Sequence, residues 1–118
     1  MDEVFMTKHY IRKDVFGNLY YYKDPEKTIR HREDGPAVEG TDGDKAWYQN
    51  GKLHREDGPA VECANGHKAW YQNDQLHRLD GPAIEYNGSK EYWYQCKYFP
   101  DIKTDERWKK HLKWMKFL

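Results

Sequence analysis

At 118 residues the chain is long enough for one domain and leaves limited room for a buried pocket. It carries 20 basic and 20 acidic side chains for a net charge of zero, which argues against a general nucleic-acid binder with a basic face along its length. It has no apolar run of about 18 residues and no charged-then-apolar leader, so no membrane span or secretion signal is expected and a cytoplasmic protein is.

The N-terminal stretch reads as a worn half-copy of the units downstream of it. Phe5 to Arg12 is expected as a first strand, and Gly17-Asn18-Leu19-Tyr20-Tyr21-Tyr22 aligns with Gly66-His67-Lys68-Ala69-Trp70-Tyr71. Three extra residues fall around Asp24-Pro25-Glu26, a turn-rich stretch. Terminal units of an array are expected to be atypical because they cap the stack.

From His31 a 23-residue unit is written three times, over residues 31–53, 54–76 and 77–99, each opening His-Arg-x-Asp-Gly-Pro-Ala. Equal copies without insertions mean one structural unit stacked on itself. Asp42-Gly43 and Asn65-Gly66 are two-residue hairpin signals, and counting by 23 places Gly88-Ser89 at the same point as a type II′ turn. That register sets Val38 opposite Trp47, Val61 opposite Trp70 and Ile84 opposite Trp93, with those residues inward. Ala37, Ala60 and Ala83 then share the other face with Tyr48, Tyr71 and Tyr94. Residues 50–58 are read as a linker to the next hairpin. Asp34, Asp57 and Asp80 are placed to accept backbone N–H bonds in Asx-turns, and Pro36, Pro59 and Pro82 fall at a first strand position.

Leu, Ile, Val and Phe number only 18, but five Trp and ten Tyr at fixed intervals supply an aromatic core, each burying about 150 to 250 Å². After Pro100 the period changes. From Asp105 to Leu118, Trp108, His111, Leu112 and Met115 share a helical stripe widened by Trp114 and Leu118, with lysines opposite. This amphipathic helix is expected to cover the end or one face of the sheet. The expected fold is therefore mainly β: stacked antiparallel β-hairpins in an open twisted sheet or solenoid of seven or eight strands, with a C-terminal capping helix. All of it forms one domain, with residues 1–30 the degenerate unit and 100–118 the helix.

The ladder of His31, His54 and His77 suggests a metal site or a general base. Repeats about 10 Å apart cannot bring two equivalent histidines to one ion, since each ligand must lie about 2.1 Å from it. Whatever every copy retains is what every copy needs in order to stack. His-Arg-x-Asp is therefore read as a polar clamp, with Arg32, Arg55 and Arg78 bridging to Glu39, Glu62 and Glu85 or to turn carbonyls. Cys63 and Cys96 fit no metal spacing and read as reduced thiols. No catalytic motif is present, and neither an enzyme nor a cofactor or metal is expected.

With its Trp-Tyr-x-Asn-Gly ending and Asp-Gly-Pro-Ala strand start, residues 31–99 resemble the MORN repeat family in its variant form. The resemblance implies a stack of β-hairpins acting as an interaction platform. The plain family spreads glycines through each unit where this chain has His-Arg-Glu-Asp-Gly-Pro-Ala, so lipid binding is not carried over. Similar chains are familiar among small proteins of bacteriophages and large DNA viruses, which implies a virus-encoded inhibitor of a host factor in the host cytoplasm.

The function expected is non-enzymatic protein binding, and the expected binding positions are Tyr48, Tyr71, Tyr94, Arg32, Arg55, Arg78, Leu79, Trp114 and Phe117. The alternative is a nucleotide or nucleic-acid binder using the Arg and His rows and the basic helix. A third reading is a His-Arg-Asp hydrolase between copies. Open sheet edges also admit a homodimer.

Overall fold

A computed structural model describes residues 9–115. Each hairpin follows from turn chemistry, and the described strands run in chain order as β1 (Tyr10–Lys13), β2 (Leu19–Tyr22), β3 (Val38–Glu39), β4 (Lys45–Ala46), β5 (Tyr48–Gln49), β6 (Lys52–Leu53) and β7 (Val61–Glu62). They continue as β8 (Lys68–Ala69), β9 (Tyr71–Gln72), β10 (Gln75–Leu76), β11 (Ile84–Tyr86), β12 (Ser89–Glu91), β13 (Trp93–Tyr94) and β14 (Lys97–Tyr98), followed by helix α1 (Asp105–Trp114). Eight strands make one open antiparallel sheet in the order β1-β2-β3-β4-β7-β8-β11-β12, and β5–β6, β9–β10 and β13–β14 form three separate two-stranded ribbons. The result is mainly β, elongated at 50 × 32 × 22 Å, with helix α1 after the last hairpin.

Every copy thus contributes two hairpins, where one and a linker were expected. The second turns at Asn50-Gly51, Asn73-Asp74 and Gln95-Cys96, with all six residues at positive φ between 46° and 81°. A two-residue turn of that kind matches the right-handed twist of the flanking strands. The Asn-Gly signal stands in the first copy, but Asp74 and Cys96 hide it in the other two.

The main-sheet register differs from the expected one by a residue in the first two copies. Val38 faces Ala46 and Val61 faces Ala69, not Trp47 and Trp70. The tips are three-residue loops: Gly43 N–H donates to Gly40 and Gly66 N–H to Cys63, completing type I turns, and Gly43 and Gly66 sit at φ 100° and 95°. A glycine in that left-handed position is the usual close of such a loop, and it adds one residue to the turn. A one-residue slip exchanges faces. Accordingly Ala37, Ala60 and Ala83 are fully buried, while Val38, Trp47, Val61 and Trp70 are only half-buried.

In the third copy Tyr86 pairs with Ser89, so Asn87-Gly88 is the turn, at φ 51° and 81°, and Gly88-Ser89 as type II′ is corrected. This tip is one residue shorter. Everything after it moves up one place, so that Tyr92 occupies the Trp47 and Trp70 position, Trp93 the Tyr48 position, and Phe99 the histidine position of an absent fourth copy. The backbone bonds bear this out: Phe99 N–H donates to Tyr92 as His54 does to Trp47 and His77 to Trp70.

At the other end Tyr21 takes the tryptophan position, its N–H donating to Ala37 as Trp47 donates to Ala60. The extra residues form a turn around Asp24, whose carboxylate accepts from Thr28 N, Thr28 Oγ1 and Ile29 N. The first strand is described from Tyr10; the expected start from Phe5 to Lys8 lies outside the described residues.

Helix α1 starts at the Thr104 N-cap, which accepts from Arg107 N, and has Asp105 and Glu106 in its first turn against the helix dipole. Trp108 and Leu112 are fully buried with Tyr92 and Ile102, and Tyr94, Phe99 and Met115 pack around them. Trp114, expected to widen this stripe, is 79% exposed. Leu118 lies outside the described residues.

Candidate functional site

The repeated motif forms the loops that lead into β3, β7 and β11, and its arginine organises each of them. Arg55 Nε donates to Asp57 at 3.0 Å, and its Nη1 donates to the Pro59 carbonyl and to Glu62. Arg32 and Arg78 make the same three contacts, to Asp34, Pro36 and Glu39 and to Asp80, Pro82 and Glu85. Each guanidinium also lies flat on an aromatic ring of the preceding unit: Arg32 on Tyr21 at 3.9 Å, Arg55 on Trp47 and Arg78 on Trp70 at 3.8 Å. Stacking on a ring while forking to a carboxylate needs the planar guanidinium, which lysine lacks. The clamp expected within each copy is therefore also the seam between copies.

The glycine of Asp-Gly-Pro follows from this stacking. A Cβ at Gly58 or Gly81 would stand 3.0 or 2.9 Å from the guanidinium carbon of Arg55 or Arg78. The aspartate has its own place in the clamp: in each copy it accepts a hydrogen bond from the arginine Nε, where Asx-turn bonds to backbone were expected. Arg32 holds the Asp34 carboxyl below its usual range by that bond.

The histidines brace the second hairpin. His31 Nδ1 accepts the Asn50 N–H, His54 Nδ1 that of Asn73 and His77 Nδ1 that of Gln95, at 2.9 to 3.1 Å. A backbone N–H can only donate, so Nδ1 is unprotonated and the proton sits on Nε2. Nε2 then donates to Glu33 in the first copy and Glu56 in the second. The third copy has Leu79 in that position. Burial pushes the His77 imidazole below its ordinary value, and its ring packs on Tyr94 at 4.7 Å.

At the end of the array the helix takes over these contacts. The Arg32 and Arg55 carbonyls accept from Gln49 and Gln72 Nε2. Tyr94 stands where glutamine should be, and the Arg78 carbonyl accepts instead from Trp108 Nε1 at 3.1 Å. The same indole packs on Tyr92 at 5.5 Å, where the next arginine would have stacked. Tyr92 Oη donates to Asp105, and burial together with that carboxylate pushes its phenol well above the ordinary range.

Two equivalent grooves open between successive loops, each about 850 Å³. Glu33, Asp34, Glu56 and Asp57 rim the first, and Glu56, Asp57, Asp80 and Leu79 the second, with Trp47 and Trp70 in their linings. The rim acids are 61 to 87% exposed, whereas the arginines beneath them are only about a fifth exposed. No family model, curated protein or solved structure matches the chain. Its own geometry is what distinguishes its surfaces.

The expected binding residues fall in separate places. Arg32, Arg55 and Arg78 line the grooves but are committed to the clamp, and Leu79 sits on the rim of the second groove. Tyr48 and Tyr71 lie on the ribbons opposite Leu53 and Leu76, and Trp93 opposite Tyr98 is their counterpart. Tyr94 therefore leaves the row and joins the helix cluster, because the third tip is one residue short. Trp114 is exposed on the same helix as exposed Lys109, Lys110 and Lys113, and Phe117 lies outside the described residues. Cys63 and Cys96 are unpaired, and burial raises the Cys63 thiol. Among the described residues no three His, Cys, Asp or Glu side chains assemble as a metal site, and no helix is long and apolar enough to cross a membrane. Sequence reasoning missed the grooves. Their signal was the Glu-Asp pair after the first two His-Arg pairs, whose aspartates were read as turn residues.

Proposed function

We propose that this chain is a non-enzymatic repeat protein, of the MORN-like variant its sequence resembles, that binds a protein partner in the cytoplasm. The observation that carries this reading is the pair of equivalent grooves, set in register by the stacking of the copies. Small-molecule catalysis finds little support there. In the first two copies both imidazole nitrogens are engaged, one by a backbone N–H and the other by a glutamate, so no free lone pair is offered as a general base. The arginines are likewise held by two carboxylates and a carbonyl each, which weighs against nucleotide binding through the arginine row. The more specific form, an inhibitor of a host factor encoded by a virus, rests on the sequence resemblance alone. Self-association through the open edges of β1 and β12 belongs to the same proposal.

The test is affinity capture of the tagged protein from candidate host lysates at low and high salt, with mass spectrometry and a nucleic-acid assay on the eluate. A single protein in near-stoichiometric amount that survives high salt is the expected result. Recovery of salt-sensitive nucleic acid alone would overturn it and direct attention to α1, which exposes Lys109, Lys110, Lys113 and Trp114.

A further inference from the structure

The two grooves share a period with one particular conformation of peptide. Each copy adds two strands to the main sheet, so successive grooves are about 9.6 Å apart at a strand spacing of about 4.8 Å. A polyproline II helix repeats every three residues at about 3.1 Å each, an advance of about 9.3 Å that returns each third side chain to the same face. A β-strand covers a similar distance in three residues but turns the third side chain to the opposite face. An α-helix returns a side chain to nearly the same face after about seven residues and about 10.5 Å, a poorer match to the groove spacing.

The charge of the rims fixes the chemistry of that side chain. Four exposed carboxylates, those of Glu33, Asp34, Glu56 and Asp57, border the first groove, and three border the second. The positive charges among them lie deeper and are shared between two acids apiece. Trp47 and Trp70 offer ring surface in the grooves for the aliphatic stem of a long cationic side chain. Leu79 replaces the fourth acid of the second groove, where an apolar neighbour is accommodated.

Building on the protein-binding reading, we infer that the two loop grooves together seat an extended peptide in the polyproline II conformation with a Lys or Arg at every third residue. The partner is thus a protein segment rich in proline and basic residues at that spacing, lying along the array axis and crossing the loops.

Fluorescence polarisation with three labelled nine-residue peptides tests the inference: Lys-Pro-Pro three times over, an isomer with its three lysines adjacent, and the periodic peptide with Glu for Lys. The periodic lysine peptide is expected to bind about tenfold tighter than its clustered isomer, a difference of one well-placed charge contact, and the glutamate peptide not at all. The double variant Glu33→Gln, Glu56→Gln still accepts from His31 and His54, so its thermal unfolding should match the parent, while periodic binding falls about fivefold or more. Equal affinity for the two lysine isomers, no binding of either, or undiminished binding by the double variant would each overturn the inference. The broader reading is judged separately, since a protein captured equally by parent and double variant leaves protein binding standing and moves its site away from the grooves.

Discussion

The seams between the internal copies and the seam at the C-terminal end do the same work with different side chains. Between copies, an arginine lies across an aromatic ring of its predecessor and fastens itself to Asp, Glu and a proline carbonyl of its own unit. At the end, Trp108 covers Tyr92 and donates to the Arg78 carbonyl, and the seam becomes a buried apolar cluster with Leu112 and Ile102. The internal seam has to be half-exposed because both of its sides belong to a surface that repeats. The terminal seam has no successor and can be buried outright.

That contrast predicts a graded set of responses. Trp108→Ala removes the largest fully buried side chain and opens a cavity, and should lower the unfolding free energy by about 3 to 5 kcal/mol in a denaturant titration. A loss below about 1 kcal/mol would show that the helix merely rests on the array. Arg55→Lys keeps the charge but gives up the flat stack and the forked contacts to Asp57 and Glu62. A loss of about 1 to 3 kcal/mol is expected, and an unchanged midpoint would break the claim that the guanidinium plane matters.

Gly81→Ala places a methyl group 2.9 Å from the Arg78 guanidinium carbon and should cost about 1 to 2 kcal/mol by overpacking. Combining it with Arg78→Ala tests the mechanism, because the glycine substitution should then be nearly harmless. Cys96→Gly runs in the opposite sense: Cys96 sits at φ 68°, and glycine there should stabilise the ribbon by up to about 1 kcal/mol.

The smallest effect concerns pH. Burial holds His77 below its ordinary value of 6.5, so the unfolded chain takes up the proton first. Stability should fall as the pH drops below about 6.5, and level off once the folded group protonates as well. His77→Asn, which keeps an acceptor for the Gln95 N–H, should shrink the difference between melting temperatures at pH 7.5 and 5.5. An undiminished difference would assign the pH response to other groups.

Much of this architecture was legible in the chain because repetition shows which residues a unit needs. The 23-residue period, the mainly β class and the alignment of Tyr21 with Trp70 follow from it, and the helix follows from the change of period after Pro100. Register did not, since Asp42-Gly43 suits both a two-residue turn and the close of a three-residue loop, and only the paired strands decide between them. Counting by 23 also concealed the missing residue in the third tip, which put Tyr94 on the wrong face. The stacking of Arg55 on Trp47 was hidden for a different reason: it joins residues of adjacent copies whose neighbourhood depends on the connecting ribbon, and that ribbon's turn signal is explicit only at Asn50-Gly51.

The claim that matters most is that each unit ends in a surface the next can accept, with the helix closing whatever copy comes last. Inserting a second set of residues 54–76 ahead of His77 tests it, since the seams on both sides of the inserted copy are then an arginine on a tryptophan and the helix junction is untouched. If the account holds, the lengthened chain unfolds cooperatively with a higher midpoint and a steeper denaturant dependence than the parent, as a stack with one more interface should. A midpoint at or below that of the parent would contradict it.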